Sequence, residues 1–223
     1  MKTVKLVSIS KPYGIETNLE TAEDLIAYCA RVSNPSNQTN TQTSEKLLKY
    51  CIRNQHWSIF EMVHLTLEIN TTRDIARQIL RHRSFSFQEF SQRYADASQL
   101  GFTIREARLQ DTKNRQNSIE TDDDALQKAW KMKQEQLVHE SKLAYNWAIE
   151  NGIAKEQARA ILPEGNTNSR LYMAGTLRSW IHYCQLRMDP GTQKEHREIA
   201  KECWYILCDQ FNFLKELTNQ EQS

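Results

Sequence analysis

Glycine is scarce in this chain. Six are scattered through 223 residues, at Gly14, Gly101, Gly152, Gly165, Gly175 and Gly191. None forms Gly-x-Gly, so the Rossmann fingerprint is missing, and no Gly-Lys-Ser/Thr is present to build a P-loop. A nucleotide bound here has to be held by side chains and helix ends. Cysteine is too sparse for a disulfide framework: Cys29, Cys51, Cys184, Cys203 and Cys208 are odd in number and lack Cys-x-x-Cys spacing. Each lies in an apolar, helical context, which favours buried reduced thiols. His56, His64, His82, His139, His182 and His196 show no His-Glu-x-x-His pairing, so no metal site is expected. No apolar run approaches the length of a membrane span. The N-terminus shows no signal-peptide core, and a cytoplasmic protein is expected. A net charge of +1 lacks the basic excess of a general nucleic-acid binder. With no internal repeat and no low-complexity linker, residues 1–223 read as one domain.

Against these absences stands one dense segment. Residues 81–94, Arg-His-Arg-Ser-Phe-Ser-Phe-Gln-Glu-Phe-Ser-Gln-Arg-Tyr, pack three Arg, one His, one Glu and three Ser among three Phe and a Tyr. Just upstream, Arg73, Arg77 and Arg81 recur every four residues. On a helix that spacing lines three cations along one face, where they repel unless an anion lies against them. Phosphate is the expected anion, since guanidinium binds it in a two-pronged way. The aromatics point to a flat ligand beside it.

Hydrophobic spacing outlines the rest. Residues 3–9 alternate as a strand. Ala22, Leu25, Ile26, Cys29 and Val32 keep helical spacing, as do Leu47, Leu48, Cys51 and Ile52. The polar run 34–40 reads as a loop. Val63, Leu65, Leu67 and Ile69 mark a half-buried strand, followed by an Arg-rich helix over 72–81. Residues 101–110 suggest another strand. Asp122, Asp123 and Asp124 open a long helix whose buried face is expected at Leu126, Trp130, Leu137, Ala144 and Ala148, ending at Gly152. A short helix stops at Pro163, residues 164–168 read as a turn, and residues 176–187 read as helical. Thr192 and Glu195 form an expected capping box for the last helix. Trp130, Trp147, Trp180 and Trp204 are expected in the core. The class is α+β, a small sheet covered by long helices.

Arg81-His82-Arg83 followed by Ser91-Gln92-Arg93 resembles the signature of the flavin-dependent thymidylate synthases, the ThyX family. Other blocks follow in the same order. Ala30-Arg31-Val32-Ser33, His56-Trp57-Ser58-Ile59-Phe60-Glu61, Ala76-Arg77-Gln78, Ala158 to Pro163, Arg178-Ser179-Trp180 and Leu186-Arg187 each resemble a family segment, and together they span roughly residues 22–200. The resemblance implies an α+β fold with a small, mostly antiparallel sheet and long helices. It implies an enzyme that converts dUMP to dTMP, with methylenetetrahydrofolate as carbon donor, FAD as redox cofactor and NADPH as reductant. It also implies a homotetramer with sites shared between subunits, and no nucleic-acid or membrane partner.

Residue roles follow from the same resemblance. Gln78, Ile79, Leu80 and Arg81 approach the nucleotide. Glu89, Phe90, Ser91, Gln92 and Arg93 form its other wall, and Arg159 binds it as well. Arg81, His82, Arg83 and Ser84 line FAD, with Ser58, Glu89, Arg178 and His182. Arg187 matches the catalytic arginine credited with favouring ionisation at N3 of the uracil. The chain departs from the family at Gln88, where many members have Asn, and at His182, where a late Asn is usual. Both departures bear on FAD affinity.

The chemistry fits these residues on independent grounds. Methylation at C5 of uracil needs an electron-rich carbon, and the usual route adds a Cys thiolate. That thiol needs an exposed, electropositive setting, to which only Cys184, near His182 and Arg187, comes close. A flavin offers another route, and a permanently charged arginine stabilises developing negative charge. Two other classes compete: a nucleic-acid module using Arg and Phe of 81–94, and a flavin or nucleotide sensor without turnover. Ser91 has no Ser-His-Asp context to act as a nucleophile. His56 reads equally as a site residue or as a charge at a helix C-terminus.

Overall fold

The computed structural model describes residues 3–14 and 19–215. Along the chain run β1 (Val4–Ile9), α1 (Ala22–Ala30), α2 (Ser44–Arg53), β2 (His64–Thr72), α3 (Arg73–Ile79), β3 (Ser86–Glu89), β4 (Arg108–Gln110), β5 (Ser118–Glu120), α4 (Asp124–Glu150), α5 (Lys155–Ala158), β6 (Asn168–Thr176), α6 (Leu177–Arg187) and α7 (Lys194–Gln210). The main sheet has the order β1-β2-β6-β3 and is antiparallel throughout; β4 and β5 form a separate hairpin. The fold is α+β, as the sequence pattern implies.

The central pair positions the site. β2 and β6 are in register from His64 opposite Thr176 to Thr72 opposite Asn168. Each runs straight into a helix, β2 into α3 and β6 into α6. The strands are antiparallel, so the two helices start from opposite ends of the pair. Leu65, Leu67 and Ile69 of β2 and Leu171 and Met173 of β6 enter one core with Trp180, Ile181, Tyr183 and Leu207. Burial of these side chains drives the packing, at about 1.5–3 kcal/mol for a large one.

β6 escapes sequence reading because its inward positions include Ser169 and Gly175, which blunt the apolar alternation. Gly175 has a packing reason: a Cβ there would lie 2.5 Å from the Phe85 ring. That ring also packs edge-on against Trp180 at 4.8 Å and fastens the segment after α3 to the sheet.

Five expectations are corrected. Of 101–110 only Arg108–Gln110 is a strand, with Phe102 forming an isolated bridge to Thr167. In α4 the buried positions are Gln134, Val138, Ser141, Tyr145 and Ala148. Of the expected face only Ala148 is buried; Leu126, Trp130 (45% exposed), Leu137 and Ala144 lie in solvent, and Trp147 is 61% exposed; only Trp180 and Trp204 of the four expected core tryptophans are buried. The Thr192–Glu195 capping box does not form. Gln193 caps α7 without a side-chain bond, because Glu195 is engaged by Arg108 and Gln193. The expected turn ends at Asn166, and Asn168 opens β6.

Candidate functional site

The C-terminal end of α6 meets the segment that follows α3. Arg187 Nε donates to His82 Nε2 at 2.9 Å, which requires a neutral imidazole with its proton on Nδ1. Burial, then the charges of Arg187 and Arg81, push the His82 pKa down to about 4. Tyr183 packs edge-on against the His82 ring at 4.9 Å. Arg81 and Arg83 are exposed, and neither they nor Arg187 has an acidic partner among the described residues. Ser84 is exposed beside them and Leu80 is half-buried. Ile79 is fully buried in the core, so only its main chain can face a ligand. Gln78, in the last turn of α3, is half-buried and hydrogen-bonded to Gln193 and His196.

The upstream arginines are neutralised from within. Arg77 donates to Glu89 at 3.1 Å and contacts Glu164 at 3.3 Å, and Arg73 lies 3.7 Å from Glu89. Ser169 donates at 2.8 Å to the Glu89 oxygen on the Arg73 side. The anion expected against the whole stripe is therefore, for Arg73 and Arg77, the protein's own carboxylate. Burial and then the charge of Arg77 hold the Arg73 pKa below its ordinary value, against the pull of Glu89.

Beyond β3 a cavity of about 610 Å³ is lined by Gln88, Glu89, Phe90, Ser91, Tyr94 and Tyr172, among others, a volume ordinary for a small-molecule site. Arg93 pairs with Glu156 at 3.2 Å, and Arg159 Nε donates to the Glu156 carbonyl at 3.4 Å, so both arginines gather at α5. Gln92 is 3% exposed with its amide nitrogen unpartnered among the described residues. Such a donor costs about 1–3 kcal/mol while it lacks an acceptor.

Ser58, Arg178 and His182 form a third group. Arg178 is bonded to Glu61 of the 3-10 turn that carries Ser58. The ring of Trp57 in that turn packs edge-on against His182 at 4.7 Å. His56 is exposed against Tyr50. Within one chain, the expected site residues thus occupy three neighbouring patches.

The thiol route finds no support in Cys184. It is fully buried, and desolvation pushes its pKa well above the ordinary range. Among the described residues no cluster of His, Cys, Asp or Glu is arranged to hold a metal ion. Sequence reasoning missed Tyr183, Gln193 and His196, which carried no motif, and read Glu195 only as part of a helix cap; all four lie far from residues 78–82 in the chain.

Guanidinium groups without acids, set around a neutral imidazole at the rim of an α+β sheet, make a site for flat anionic ligands. The same fold occurs in a UMP/dUMP methylase from Streptomyces cacaoi, solved with 5-Br dUMP (TM-score 0.77, 23% identity, 96% of this chain and 93% of that one) and with 5-Br UMP (TM-score 0.79, 23% identity, 96% and 92%). Residues 15–211 match the family described as thymidylate synthase complementing protein, and the chain belongs to that family. It is 53% identical over 209 residues to a probable flavin-dependent thymidylate synthase of Paramecium bursaria Chlorella virus 1, covering 94% of this chain and 95% of that protein. It is 54% identical over 209 residues to a flavin-dependent thymidylate synthase of Synechocystis, covering 93% and 95%.

Proposed function

We infer that this protein is a flavin-dependent thymidylate synthase, an enzyme that methylates dUMP to dTMP. The observation that carries this reading is the Arg81–His82–Arg83 segment joined to Arg187 through a neutral His82, in a chain of this family. The residues fit a bound FAD: acid-free Arg83 and exposed Ser84 in one patch, and exposed His182 with the Trp57 ring against it in another. A bound flavin supplies hydride chemistry directed at carbon. We take methylenetetrahydrofolate as the carbon donor and NADPH as the reductant.

In this reading Arg81, Arg93 and Arg159 hold the nucleotide phosphate, where charge-assisted bonds are strong. Arg187 faces the uracil and stabilises negative charge on it. His82 accepts the Arg187 Nε–H and so fixes the plane of the guanidinium. Gln78, Leu80 and the 89–92 segment enclose the nucleotide. Ser58, Glu89 and Arg178 complete the flavin side.

One domain over 1–223 carries the site, and we propose that it assembles as a homotetramer. Support comes from the three separate patches and from the exposed apolar side chains of α4, Leu126, Trp130, Met132, Leu137, Leu143 and Trp147, more than a lone helix leaves in water without a partner. No described helix is long and apolar enough to cross a membrane, and we place the protein in the cytoplasm.

The test is direct. The purified protein is expected to be yellow and to release tritium from C5-labelled dUMP when given the folate and NADPH. A colourless protein that neither takes up FAD nor releases label rejects the proposal.

A further inference from the structure

Gln78 is not free to choose which end of its amide faces the site. Six side chains form one hydrogen-bonded relay from the β4 strand to α6. Arg108 donates to Glu195 Oε1. Gln193 Nε2 donates to Glu195 Oε2 at 2.9 Å, and Gln78 Nε2 donates to Gln193 Oε1 at 2.7 Å. His196 Nδ1 lies 3.3 Å from Gln78 Oε1, and the Tyr183 hydroxyl lies 3.1 Å from His196 Nε2.

The direction of the whole relay follows from its charged end. A carboxylate only accepts, so the amide nitrogen of Gln193 turns to Glu195 and its oxygen turns to Gln78. The Gln78 nitrogen therefore faces Gln193, and its oxygen faces His196. An amide oxygen also only accepts, so His196 carries its proton on Nδ1 and Tyr183 donates to Nε2. Burial pushes the Glu195 carboxyl up, but hydrogen bonds from Arg108, its own backbone and Gln193 outweigh that and hold it low. His196 is fully buried, and desolvation followed by the charge of Arg187 takes its pKa down to about 3. Both ends thus keep the protonation state the relay needs.

We propose that Gln193 and Glu195 are positioning residues for nucleotide binding: by directing the relay they set the Gln78 amide so that its second N–H remains for the pyrimidine nucleotide. This rests on the reading that Gln78 faces the nucleotide. A flipped Gln78 offers an oxygen lone pair where an N–H is needed. Setting the amide before the ligand arrives avoids the loss of rotamer freedom on binding. Gln193 and Glu195 act through Gln78 alone, and neither is among the residues assigned to the ligands.

The experiment measures the dissociation constant of dUMP on FAD-loaded protein, with FAD content and Tm, for Gln78→Ala, Gln193→Ala, Glu195→Gln and Glu195→Asp. Gln78→Ala is expected to weaken dUMP by about tenfold, the worth of roughly one good hydrogen bond. Gln193→Ala and Glu195→Gln are each expected to weaken it by about three- to tenfold with FAD content near wild type; Tm stays near wild type in Gln193→Ala and falls in Glu195→Gln, which leaves Arg108 without its carboxylate. Glu195→Asp keeps the charge and is expected to recover most of the affinity. If Gln78→Ala weakens dUMP while the Gln193 and Glu195 variants stay within about twofold, the relay proposal is wrong and the Gln78 reading stands. If Gln78→Ala itself leaves dUMP unchanged, that reading fails and takes the relay with it. Parallel loss of FAD, Tm and dUMP affinity in the Gln193 and Glu195 variants marks a merely structural role and also overturns the proposal.

Discussion

Arg73 and Arg77 differ from Arg81, Arg83 and Arg187 in one respect: the first pair meet an acid of their own chain. Arg73 and Arg77 converge on Glu89, Arg77 at one oxygen and Arg73, with the Ser169 hydroxyl, at the other. The other three have no acid within the described chain, and burial, followed by the charges of Arg187 and Arg81, keeps His82 uncharged. One basic segment therefore holds two kinds of arginine. Those matched internally serve as struts between α3, β3 and β6. Those left unmatched keep an unfavourable concentration of positive charge that an anionic ligand relieves. Spacing alone cannot tell the two kinds apart; the position of the acid does.

The largest break in this comparison is Arg187→Ala. Removing one preorganised donor to developing charge costs about 10²–10³ in kcat, read by tritium release, with less effect on dUMP affinity than on rate. Arg81→Ala comes next. Loss of one charge-assisted contact is worth about 1.5–3 kcal/mol, so dUMP binding is expected to fall by about 10- to 100-fold, measured by titration. A result within error of wild type would place Arg81 with the struts.

Gly175→Ala tests what holds the unmatched arginines in place. A Cβ 2.5 Å from the Phe85 ring forces that ring out of its present packing with Trp180. Overpacking of this kind costs about 1–3 kcal/mol, seen as a lower Tm, and the shift carries residues 81–84 with it, seen as weaker FAD retention. An unchanged Tm would show that Phe85 is not the anchor.

The burial of His82 beside Arg187 and Arg81 also predicts a pH effect. His82 falls from the ordinary 6.5 to about 4 in the folded chain. The unfolded chain therefore binds the proton first. The stability contribution is complete above about 6.5 and is lost as pH falls toward about 4. Denaturant midpoints across that range are expected to drop on acidification. In Arg187→Ala the His82 pKa is expected to move back up, visible by NMR titration of the ring protons. If the pKa stays put, burial alone sets it and the neighbouring charges do not.

Much of this was legible in the sequence, for reasons that differ by element. β2 has unbroken apolar alternation, so Leu65, Leu67 and Ile69 are legible as one buried face. β6 was not, because Ser169 and Gly175 sit at inward positions, one to hold Glu89 and the other to admit Phe85. α4 was misread by one stripe: Gln134 and Ser141 are buried because Gln134 bonds the Arg105 backbone and Ser141 bonds the Leu137 carbonyl, while the apolar stripe stays outside. The 81–94 segment was visible as a local motif, and Arg187 through the family resemblance. The relay partners Gln193, Glu195 and His196 were not, since their role arises only from the packing of α7 against α3.

The smallest expected effect completes the comparison. Arg77 is 45% exposed at its side chain and shares Glu89 with the more buried Arg73. Exposed pairs contribute about 0–1 kcal/mol, so Arg77→Ala is expected to lower stability by no more than that and to leave Glu89 paired with Arg73. Arg73→Ala is the sharper control. It strips Glu89 of its more buried cation, and breaking a buried pair costs more than breaking an exposed one. Neither variant removes a group assigned to the phosphate or the uracil, so dUMP affinity is expected to stay within about threefold of wild type. If Arg77→Ala instead weakens dUMP as much as Arg81→Ala does, the internal carboxylate is not what divides these arginines. The whole stripe would then belong to the ligand.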